Sequence, residues 1–411
     1  MIFRFLFVAA LLLIGPELRA ETPVEKAGFS PKLVIYLAKG AANSCGPGCD
    51  RWIAVEGEVD AGAAARIRRF LATVKDTQRP IYFHSPGGAV EPSFVIGRLL
   101  RSRKAIARVG RTIVAACAAG TQIDAACLKI KNGSGEIEAD LKTRNAMCNS
   151  ACGYLFLGAT TREVAPDAAV AVHNSKLKLV LHGNPSPQAV ADFRERSMAK
   201  ADRERAAFVT GMGIKSELVD LIRTVKFESL HVLTRPELYR FGIDTRAFSE
   251  TPWMLETAAR PYARKIALAK QGDGASFRTM EWDLFCENKD RPRLMFVREI
   301  EDGTVGKSMV IMTAGSEKSV AFGKLPGRVG KYEVWNDVIA PDAMKAMLSA
   351  STLQMGEATA NADGKAKPST FDIDTSGLEE AWTQLLASCP AAPVYAKPVF
   401  PSPSVNAAPA Q

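Results

Sequence analysis

Eight cysteines that follow a short apolar N-terminal segment limit this chain more than any other feature of its sequence. Arg4 precedes an apolar run over residues 5–14, and Gly15-Pro16 ends that run shortly before Ala20. A run of this length is too short to span a bilayer, so the pattern is typical of a signal peptide that is cut after Ala20. We therefore expect a periplasmic or secreted protein, with an uncleaved membrane anchor as the alternative.

An even number of cysteines in an oxidising compartment predicts disulfides rather than a metal site or reactive thiols. Their spacings fit no common zinc pattern and the four histidines are far apart in the chain, so we expect no metal. Eight cysteines allow roughly a hundred pairings. We expect the last two to pair with each other and the first six to pair among themselves. The cysteines are Cys45, Cys49, Cys117, Cys127, Cys148, Cys152, Cys286 and Cys389.

The composition and charge of the chain exclude several classes of protein. With 411 residues, 47% of them hydrophobic and 24% charged, the chain is neither mostly disordered nor a membrane protein with many spans. The net charge is +9, but basic residues alternate with acidic ones, as in residues 194–196 and 202–205. Such alternation is typical of a solvated helix face and predicts no nucleic-acid partner.

Short apolar runs alternate with helical stretches between residues 21 and 250, which predicts an α/β domain. Within this domain, residues 110–147 interrupt the alternation with glycine, asparagine and other polar residues, and we interpret them as an inserted loop. We expect strands at 33–37, 51–55, 80–83 and 105–109, and helices at 61–74, 92–102, 189–211 and 216–223.

The composition of the chain changes after residue 250. We interpret residues 251–275 as a helical linker, and the short strand-like runs of residues 276–389 predict a smaller β-rich domain. A bond between Cys286 and Cys389 would close that domain near both of its ends. The tail from 390 to 411 is rich in proline and alanine, which is typical of a disordered segment.

Three short segments combine residue types that can carry chemistry. Paired glycines let backbone N–H groups approach a ligand, a serine at the start of a helix suits a nucleophile, and a histidine at the end of a strand suits a general base. Each segment also has an ordinary structural interpretation, namely a tight turn, a helix N-cap and a buried core histidine. The segments are His84-Ser85-Pro86-Gly87-Gly88, Cys148-Asn149-Ser150-Ala151-Cys152-Gly153 and Val170-Ala171-Val172-His173-Asn174.

Taken in order, the segments resemble the proteolytic subunit of the Clp protease and its exported relatives within the crotonase-like superfold. Ser85-Pro86-Gly87-Gly88 matches the family's glycine turn, Ser150 its nucleophile and His173 its base. Residues 233–243 are similar to the family's Leu-Ser-x-Pro-Glu and Tyr-Gly-Leu ending. The resemblance covers roughly residues 33–247. It implies an α/β fold with a Clp/crotonase-like ββα spiral domain, here followed by the smaller β-rich domain.

The resemblance implies a serine peptidase in which Ser150 attacks a carbonyl carbon and His173 takes the hydroxyl proton. The oxyanion would then lie between the N–H group of Gly87 or Gly88 and that of Ala151. A protein or peptide is the implied substrate, no cofactor is implied, and a homo-oligomer is expected by analogy. Because an exported protein has no ATP supply, we expect no ATPase partner.

The chain departs from the family at the third catalytic position. The family's aspartate corresponds to a position near Lys226 here, and the nearest acids are Asp220 and Glu228. Two functions therefore stay open. One is an exported, ATP-independent serine peptidase with a Ser-His dyad or triad, and the other is a catalytically silent Clp-like binding or scaffold protein of the cell envelope. A cysteine hydrolase using Cys148 or Cys152 is disfavoured, because we expect both thiols to be in disulfides.

Overall fold

The structure is a computed structural model, and it describes residues 31–389 except 119–120, 178–182, 258, 273, 301–303, 314–318, 323 and 362–365. The predicted signal peptide and the predicted C-terminal tail lie outside the described residues. The helices of the described chain are α1 (Ala63–Thr73), α2 (Val90–Ser102), α3 (Ala125–Lys131), α4 (Ala151–Gly158), α5 (Pro187–Gly211), α6 (Glu217–Thr224), α7 (Arg235–Arg240), α8 (Pro341–Ser349) and α9 (Leu378–Ala387).

The strands alternate with helices at first and then follow one another closely. Those of the N-terminal part are β1 (Val34–Lys39), β2 (Arg51–Glu56), β3 (Ile81–His84), β4 (Ile106–Val109), β5 (Arg111–Val114), β6 (Glu136–Lys142), β7 (Met147–Asn149), β8 (Thr161–Glu163), β9 (Ala169–Val172) and β10 (His231–Val232). Those of the C-terminal part are β11 (Phe248–Glu250), β12 (Met254–Glu256), β13 (Tyr262–Gln271), β14 (Ser276–Asn288), β15 (Arg291–Glu299), β16 (Thr304–Thr313), β17 (Ser319–Phe322), β18 (Gly327–Val329), β19 (Tyr332–Val338), β20 (Thr352–Asn361) and β21 (Ala366–Asp374).

A seven-stranded sheet in the order β5-β6-β1-β2-β3-β4-β8 forms the centre of the N-terminal part. Strands β2, β3, β4 and β8 run parallel, and α1 and α2 are the crossovers between parallel neighbours. The apolar run Trp52-Ile53-Ala54-Val55 of β2 is buried throughout, because both faces of the sheet are covered. The predicted α/β class is therefore confirmed, as a mixed α/β fold with several sheets.

A smaller sheet, β10-β9-β7, carries the serine and histidine segments. Strands β7 and β9 are parallel, and β10 is antiparallel to β9. A bridge between Ser85 and Cys148 joins this sheet to the chain that leaves β3. The turn after β3 and the ends of β7 and β9 consequently lie beside one another.

The segment 110–147 is not the loop that the sequence analysis expected. It contains β5, α3 and β6, and β6 joins the main sheet as the parallel neighbour of β1. In β6, acidic and basic residues alternate with Ile137, Ala139 and Leu141. This alternation has the period of a strand with one buried face, which the polar composition of the segment obscured.

The interpretation of residues 251–275 as a helical linker is also wrong. The segment forms β12 and β13, and β13 pairs with β14 along its whole length. Its alanine-rich run, Ala263 to Ala269, favours a helix by intrinsic propensity. Pairing with β14 and burial of Ala263 and Ala267 override that propensity.

Two sheets share one core in the C-terminal part. One has the order β11-β13-β14-β15-β19-β18, with β12 beside β13, and the other has the order β17-β16-β20-β21. Trp282 and Phe296 of the first sheet and Leu353 and Met355 of the second are fully buried in this core. Side chains of α8 and α9 complete the same core.

Buried charges join these two sheets. Arg298 donates to Glu333 at 2.6 and 2.9 Å and to Glu357, on the other sheet, at 2.9 Å. All three side chains are at most 5% exposed. Removing one partner of a buried ion pair leaves an uncompensated charge, which costs about 3–5 kcal/mol. The three residues therefore restrict the two sheets to an arrangement in which every charge is paired.

All eight cysteines are paired in disulfides. The structure contains the predicted Cys286–Cys389 bond. Each of the other six cysteines pairs with the next or the preceding cysteine in the sequence. The other bonds are Cys45–Cys49, Cys117–Cys127 and Cys148–Cys152. Four disulfides fit a protein of an oxidising compartment. Within the described ranges no helix is long and apolar enough to cross a membrane.

A buried aspartate near the end of the N-terminal part generates a prediction about stability. Asp244 accepts hydrogen bonds from Arg246, at 2.6 Å, and from the backbone N–H of Val164, at 2.9 Å. Burial alone would raise its pKa, but the hydrogen bonds from Arg246 and Arg235 and their charges lower the pKa to about 2. The depressed pKa contributes about 2 kcal/mol to stability, which is present above the ordinary pKa of aspartate and lost as the pH falls towards 2.

We expect Asp244→Asn to lower the free energy of unfolding in urea by about 2 kcal/mol or more at pH 7. The difference between the variant and the unmodified chain should shrink between pH 4 and pH 2. The control is Asp220→Asn, because Asp220 is exposed and its ion pair is with the exposed Arg223, so its loss should cost less than about 0.5 kcal/mol. Equal losses from the two substitutions would contradict this account.

The second core predicts where an independently folding C-terminal fragment must begin. Trp253, Ala263 and Ala267 all lie in this core, so a fragment that starts at residue 270 lacks part of it. We expect a fragment of residues 247–392, expressed in an oxidising compartment, to unfold cooperatively and to contain the Cys286–Cys389 bond. Closing that loop contributes about 4–5 kcal/mol in the chain-entropy model.

The matched control is a fragment of residues 270–392, which keeps both cysteines but lacks nearly all of β13. We expect this shorter fragment to be insoluble or to unfold without cooperativity. Circular dichroism during thermal unfolding and peptide mapping of the disulfide make the comparison. Cooperative unfolding of the shorter fragment, or failure of the longer one to fold, would refute the boundary near residue 247.

Candidate active site

Ser150 lies at a sharp turn between a strand and a helix. Strand β7 ends at Asn149 and α4 begins at Ala151, and Ser150 between them has φ 54° and ψ −121°. A positive φ at a residue other than glycine costs about 1–3 kcal/mol and persists only where the surroundings hold it. The Ser150 N–H donates to the Ala171 carbonyl at 2.8 Å, which fixes the turn against β9.

The parallel pairing of β7 with β9 brings His173 to this serine. Asn149 is the register partner of Ala171, so the residues that follow the two strand ends meet at the same edge of the sheet. The His173 Nε2 atom lies 2.7 Å from the Ser150 Oγ atom. Both residues are half-buried.

A backbone carbonyl orients the histidine ring. The His173 Nδ1 atom lies 2.6 Å from the carbonyl oxygen of Phe227. Because a carbonyl oxygen only accepts hydrogen bonds, the hydrogen must be on Nδ1, which leaves Nε2 of the neutral ring to accept from the Ser150 hydroxyl. The Phe227 ring also lies against the imidazole, with 5.0 Å between the ring centroids. The histidine thus has the tautomer that a general base needs.

Neither acid suggested by the sequence makes a hydrogen bond to His173 among the described residues. The Asp220 carboxylate is 70% exposed and pairs with Arg223 at 2.9 Å. Glu228 is exposed on the surface, although it directly follows Phe227. The Phe227 carbonyl could not be predicted from the sequence, because a main-chain acceptor has no signature in the residue type.

The glycine turn packs directly against the serine. Gly87 has φ 109°, and a Cβ atom added there would lie 2.7 Å from both the Asn149 carbonyl oxygen and the Ser150 Cβ atom. The same added atom would lie 3.1 Å from the Ala151 nitrogen. Such contacts are too close for any side chain, so only glycine lets the turn approach the start of α4.

The hydrogen bonds of the turn distinguish its two glycine amides. The Gly87 N–H donates to the Ser85 hydroxyl at 3.2 Å, whereas no described residue accepts from the Gly88 N–H. The Val59 N–H donates to the Gly87 carbonyl, and the Ala89 N–H donates to the Val59 carbonyl. The Gly88 N–H therefore points away from Val59. The Ala151 N–H belongs to the first turn of a helix, where backbone amides have no partner within the helix.

Ser85 and His84 hold the turn in place. Ser85 is fully buried, donates its N–H to the Met147 carbonyl at 2.8 Å and accepts from the Asn149 N–H at 3.0 Å. His84 accepts from the Met147 N–H at 3.2 Å, and burial lowers its pKa to about 4. The His84 ring therefore stays neutral at neutral pH, and its Nδ1 atom continues to accept this hydrogen bond. In the part of the chain that the structure describes, no group of three or more His, Cys, Asp or Glu side chains is placed to hold a metal ion.

Comparisons with known proteins find similarity only among solved structures. No protein-family model matches the chain, and no curated protein matches its sequence. A point variant of ClpP1 from Listeria monocytogenes is 15% identical, with 46% of this chain and 85% of that chain covered and a TM-score of 0.26. A point variant of the membrane-bound stomatin-specific protease 1510-N, in complex with a substrate peptide, is 14% identical, with 46% and 71% covered and a TM-score of 0.28.

A third similar structure is the invasion associated protein B of Bartonella henselae. It is 12% identical, with 34% of this chain and 93% of that chain covered and a TM-score of 0.25. All three likenesses are distant and partial.

Proposed function

We propose that this protein is an exported, ATP-independent serine hydrolase of the peptidase type, with Ser150 as nucleophile and His173 as general base. The observation that carries the proposal is the 2.7 Å contact between the Ser150 Oγ and His173 Nε2 atoms, made by a serine whose backbone is strained. Strain of this kind is found mostly at functional sites. A serine that only capped a helix would instead accept a hydrogen bond from an amide of the first helical turn, and Ser150 makes no such bond.

The proposed reaction proceeds through an acyl-enzyme. The Ser150 Oγ atom forms a bond to the substrate carbonyl carbon while its proton passes to the His173 Nε2 atom, and the carbonyl oxygen becomes negatively charged. Collapse of this intermediate breaks the bond to the leaving amine, which takes the proton from His173. A water molecule then repeats the sequence on the acyl group, giving its proton to His173 and releasing the carboxylic acid and free Ser150.

The amides of Gly88 and Ala151 are the proposed donors to the oxyanion. The Gly87 N–H is occupied by the Ser85 hydroxyl, so Gly88 is the better candidate of the two glycines. Each well-placed donor in such a site contributes about 10²–10³-fold to the rate. Gly87 serves the site by its lack of a side chain, which allows the turn to lie against Ser150 and Ala151.

The site is proposed to work as a dyad, with the Phe227 carbonyl in the place of a carboxylate. A carbonyl dipole can hold the tautomer and the orientation of the His173 ring, but it carries no full charge to stabilise the imidazolium that forms during attack. Loss of the aspartate from a Ser-His-Asp triad costs about 10⁴-fold in rate, chiefly through the wrong tautomer. Because the carbonyl secures the correct tautomer, we expect a slow but measurable hydrolase.

A peptide with apolar side chains is the proposed substrate. Phe227, Leu230 and Val232 are 44–53% exposed, and they lie on the short segment that contacts His173 and continues into β10. Apolar side chains exposed together beside a reactive group are typical of a surface that binds apolar ligand groups. The expected homo-oligomer stays a prediction.

Labelling with a fluorophosphonate probe tests the nucleophile. The serine oxygen attacks phosphorus, a P–O bond forms, and fluoride leaves. We expect the unmodified protein to be labelled on Ser150 and the Ser150→Ala variant to lose labelling completely. His173→Ala should lower the labelling rate by about 10³-fold or more. Circular dichroism establishes that the variants are folded.

Ser85→Ala is the matched control, since Ser85 is a buried serine of the same site whose hydroxyl accepts from Gly87. We expect this variant to keep labelling at Ser150, with a reduced rate if the glycine turn shifts. Labelling that survives Ser150→Ala but not Ser85→Ala would refute the assignment. A folded, unmodified protein that no probe labels would favour the silent binding protein.

The dyad makes a separate prediction for the two acids. Because neither Asp220 nor Glu228 makes a hydrogen bond to His173 among the described residues, Asp220→Asn and Glu228→Gln should each change the labelling rate by less than about threefold. His173→Ala provides the comparison for loss of the base. A loss from either acid as large as the loss from His173→Ala would show a triad and would exclude the dyad.

A further inference from the structure

The Cys148–Cys152 disulfide encloses the candidate nucleophile. Cys148 lies in β7, two residues before Ser150, and Cys152 lies in the first turn of α4, two residues after it. The bond therefore closes a small ring that has Ser150 at its centre and spans the change from strand to helix. Both cysteines are 0% exposed, so a soluble reductant has little access to the sulfur atoms.

The strand side of this ring is held by ordinary backbone hydrogen bonds. The Asn149 N–H donates to the Ser85 carbonyl at 3.0 Å, and the Ser150 N–H donates to the Ala171 carbonyl at 2.8 Å. These bonds fix the chain up to the amide of Ser150. They do not fix the direction in which the chain continues beyond the strained Ser150 backbone.

The helix side lacks the side-chain cap that would usually hold it. The Ser150 hydroxyl is the natural acceptor for an amide of the first helical turn, but it contacts His173 instead, and α4 has no side-chain cap hydrogen bond. The first turn is held by the Gly153 N–H, which donates to the Ser150 carbonyl at 3.0 Å, and by the disulfide. The disulfide thus holds the start of α4, as a side-chain N-cap would otherwise do.

We propose that the Cys148–Cys152 disulfide is a positioning element of the catalytic site. It holds the backbone of Ser150 in its strained conformation, keeps the hydroxyl at His173, and keeps the Ala151 N–H beside the glycine turn. This inference rests on the proposed hydrolase function. It also implies that the site reaches its full rate only once the bond has formed, in an oxidising compartment, and that the buried bond holds the turn permanently.

The chain provides a matched control in Cys45–Cys49. This disulfide has the same sequence separation of 4 and a Cα–Cα distance of 5.0 Å, against 5.1 Å for Cys148–Cys152. It lies between β1 and β2 and belongs to a different hydrophobic cluster. Removing it deletes a ring of the same size without touching the turn at Ser150.

The experiment compares fluorophosphonate labelling of the full chain with that of two disulfide variants. One variant combines Cys148→Ala with Cys152→Ala, and a second combines Cys148→Val with Cys152→Ala to fill the space left by the sulfur atoms. The control combines Cys45→Ala with Cys49→Ala. All are measured below the temperature at which circular dichroism shows unfolding.

We expect the limiting labelling rate at saturating probe to fall by about 10²-fold in the Cys148 and Cys152 variants, as for a reacting atom displaced by about 1 Å. The probe concentration that gives half the limiting rate should change little, and the control should label like the unmodified chain. Hydrogen exchange should become faster at the amides of residues 151–154 in these variants only, because the first turn of α4 is released.

Unchanged labelling and unchanged exchange in the Cys148 and Cys152 variants would overturn the inference and leave the hydrolase assignment intact. Failure of both variants to fold, with a folded control, would also overturn it, because the bond would then serve the whole domain. If the unmodified chain is not labelled, the proposed function fails by itself. Hydrogen exchange still decides whether the disulfide holds the turn.

Discussion

Three backbone hydrogen bonds join segments that are far apart in the sequence, and the rest of the site depends on them. The Ser85 N–H donates to Met147, the Asn149 N–H donates back to Ser85, and the Ser150 N–H donates to Ala171. Because the bonds use only main-chain atoms, they leave the hydroxyl and the imidazole free to contact each other. They also fix the register. A slip of one residue between β7 and β9 would turn the histidine to the other face of the sheet and away from Ser150.

Residue type and position in the sequence predict some parts of the candidate site. Ser150, His173 and the paired glycines combine a reactive atom, or an unusual backbone freedom, with a position next to a strand or a helix. The structure brings Ser150, His173 and Gly87 together, and their catalytic roles stay predictions. The Phe227 carbonyl could not be foreseen in this way, since every residue has a carbonyl and only the folded chain decides which one reaches the ring.

The two errors in the fold have a common physical origin. In residues 110–147, charged residues on the exposed face of β6 hid a strand, and in residues 251–275 an alanine-rich run concealed β13. Local composition is a weak guide in both places, because the partner strands β1 and β14 supply the hydrogen bonds that decide the structure. Pairing partners far away in sequence are the information that a local pattern does not contain.

Burial of α4 explains how the site tolerates its strain. Every residue of this helix is buried, including Leu155 and Phe156 at 0% exposure. Burying each large apolar side chain contributes about 1.5–3 kcal/mol, so two or three of them outweigh the cost of about 1–3 kcal/mol for the positive φ of Ser150. The strained turn persists because relaxing it would move a buried helix, whose first turn is also tied to β7 by the Cys148–Cys152 disulfide.

The same helix also sets the distance between the two halves of the site. Helix α2 begins just after the glycine turn and α4 begins just after Ser150, and the two helices touch at Gly97 and Gly158. A Cβ atom added to Gly158 would lie 2.3 Å from the Gly97 Cα atom, so no larger residue fits there without separating the helices. Separation would pull the glycine turn before α2 away from the Ala151 amide at the start of α4. The approach of the glycine turn to the start of α4 is therefore set in part by a glycine contact between the helices, at the far end of α4 from Ser150.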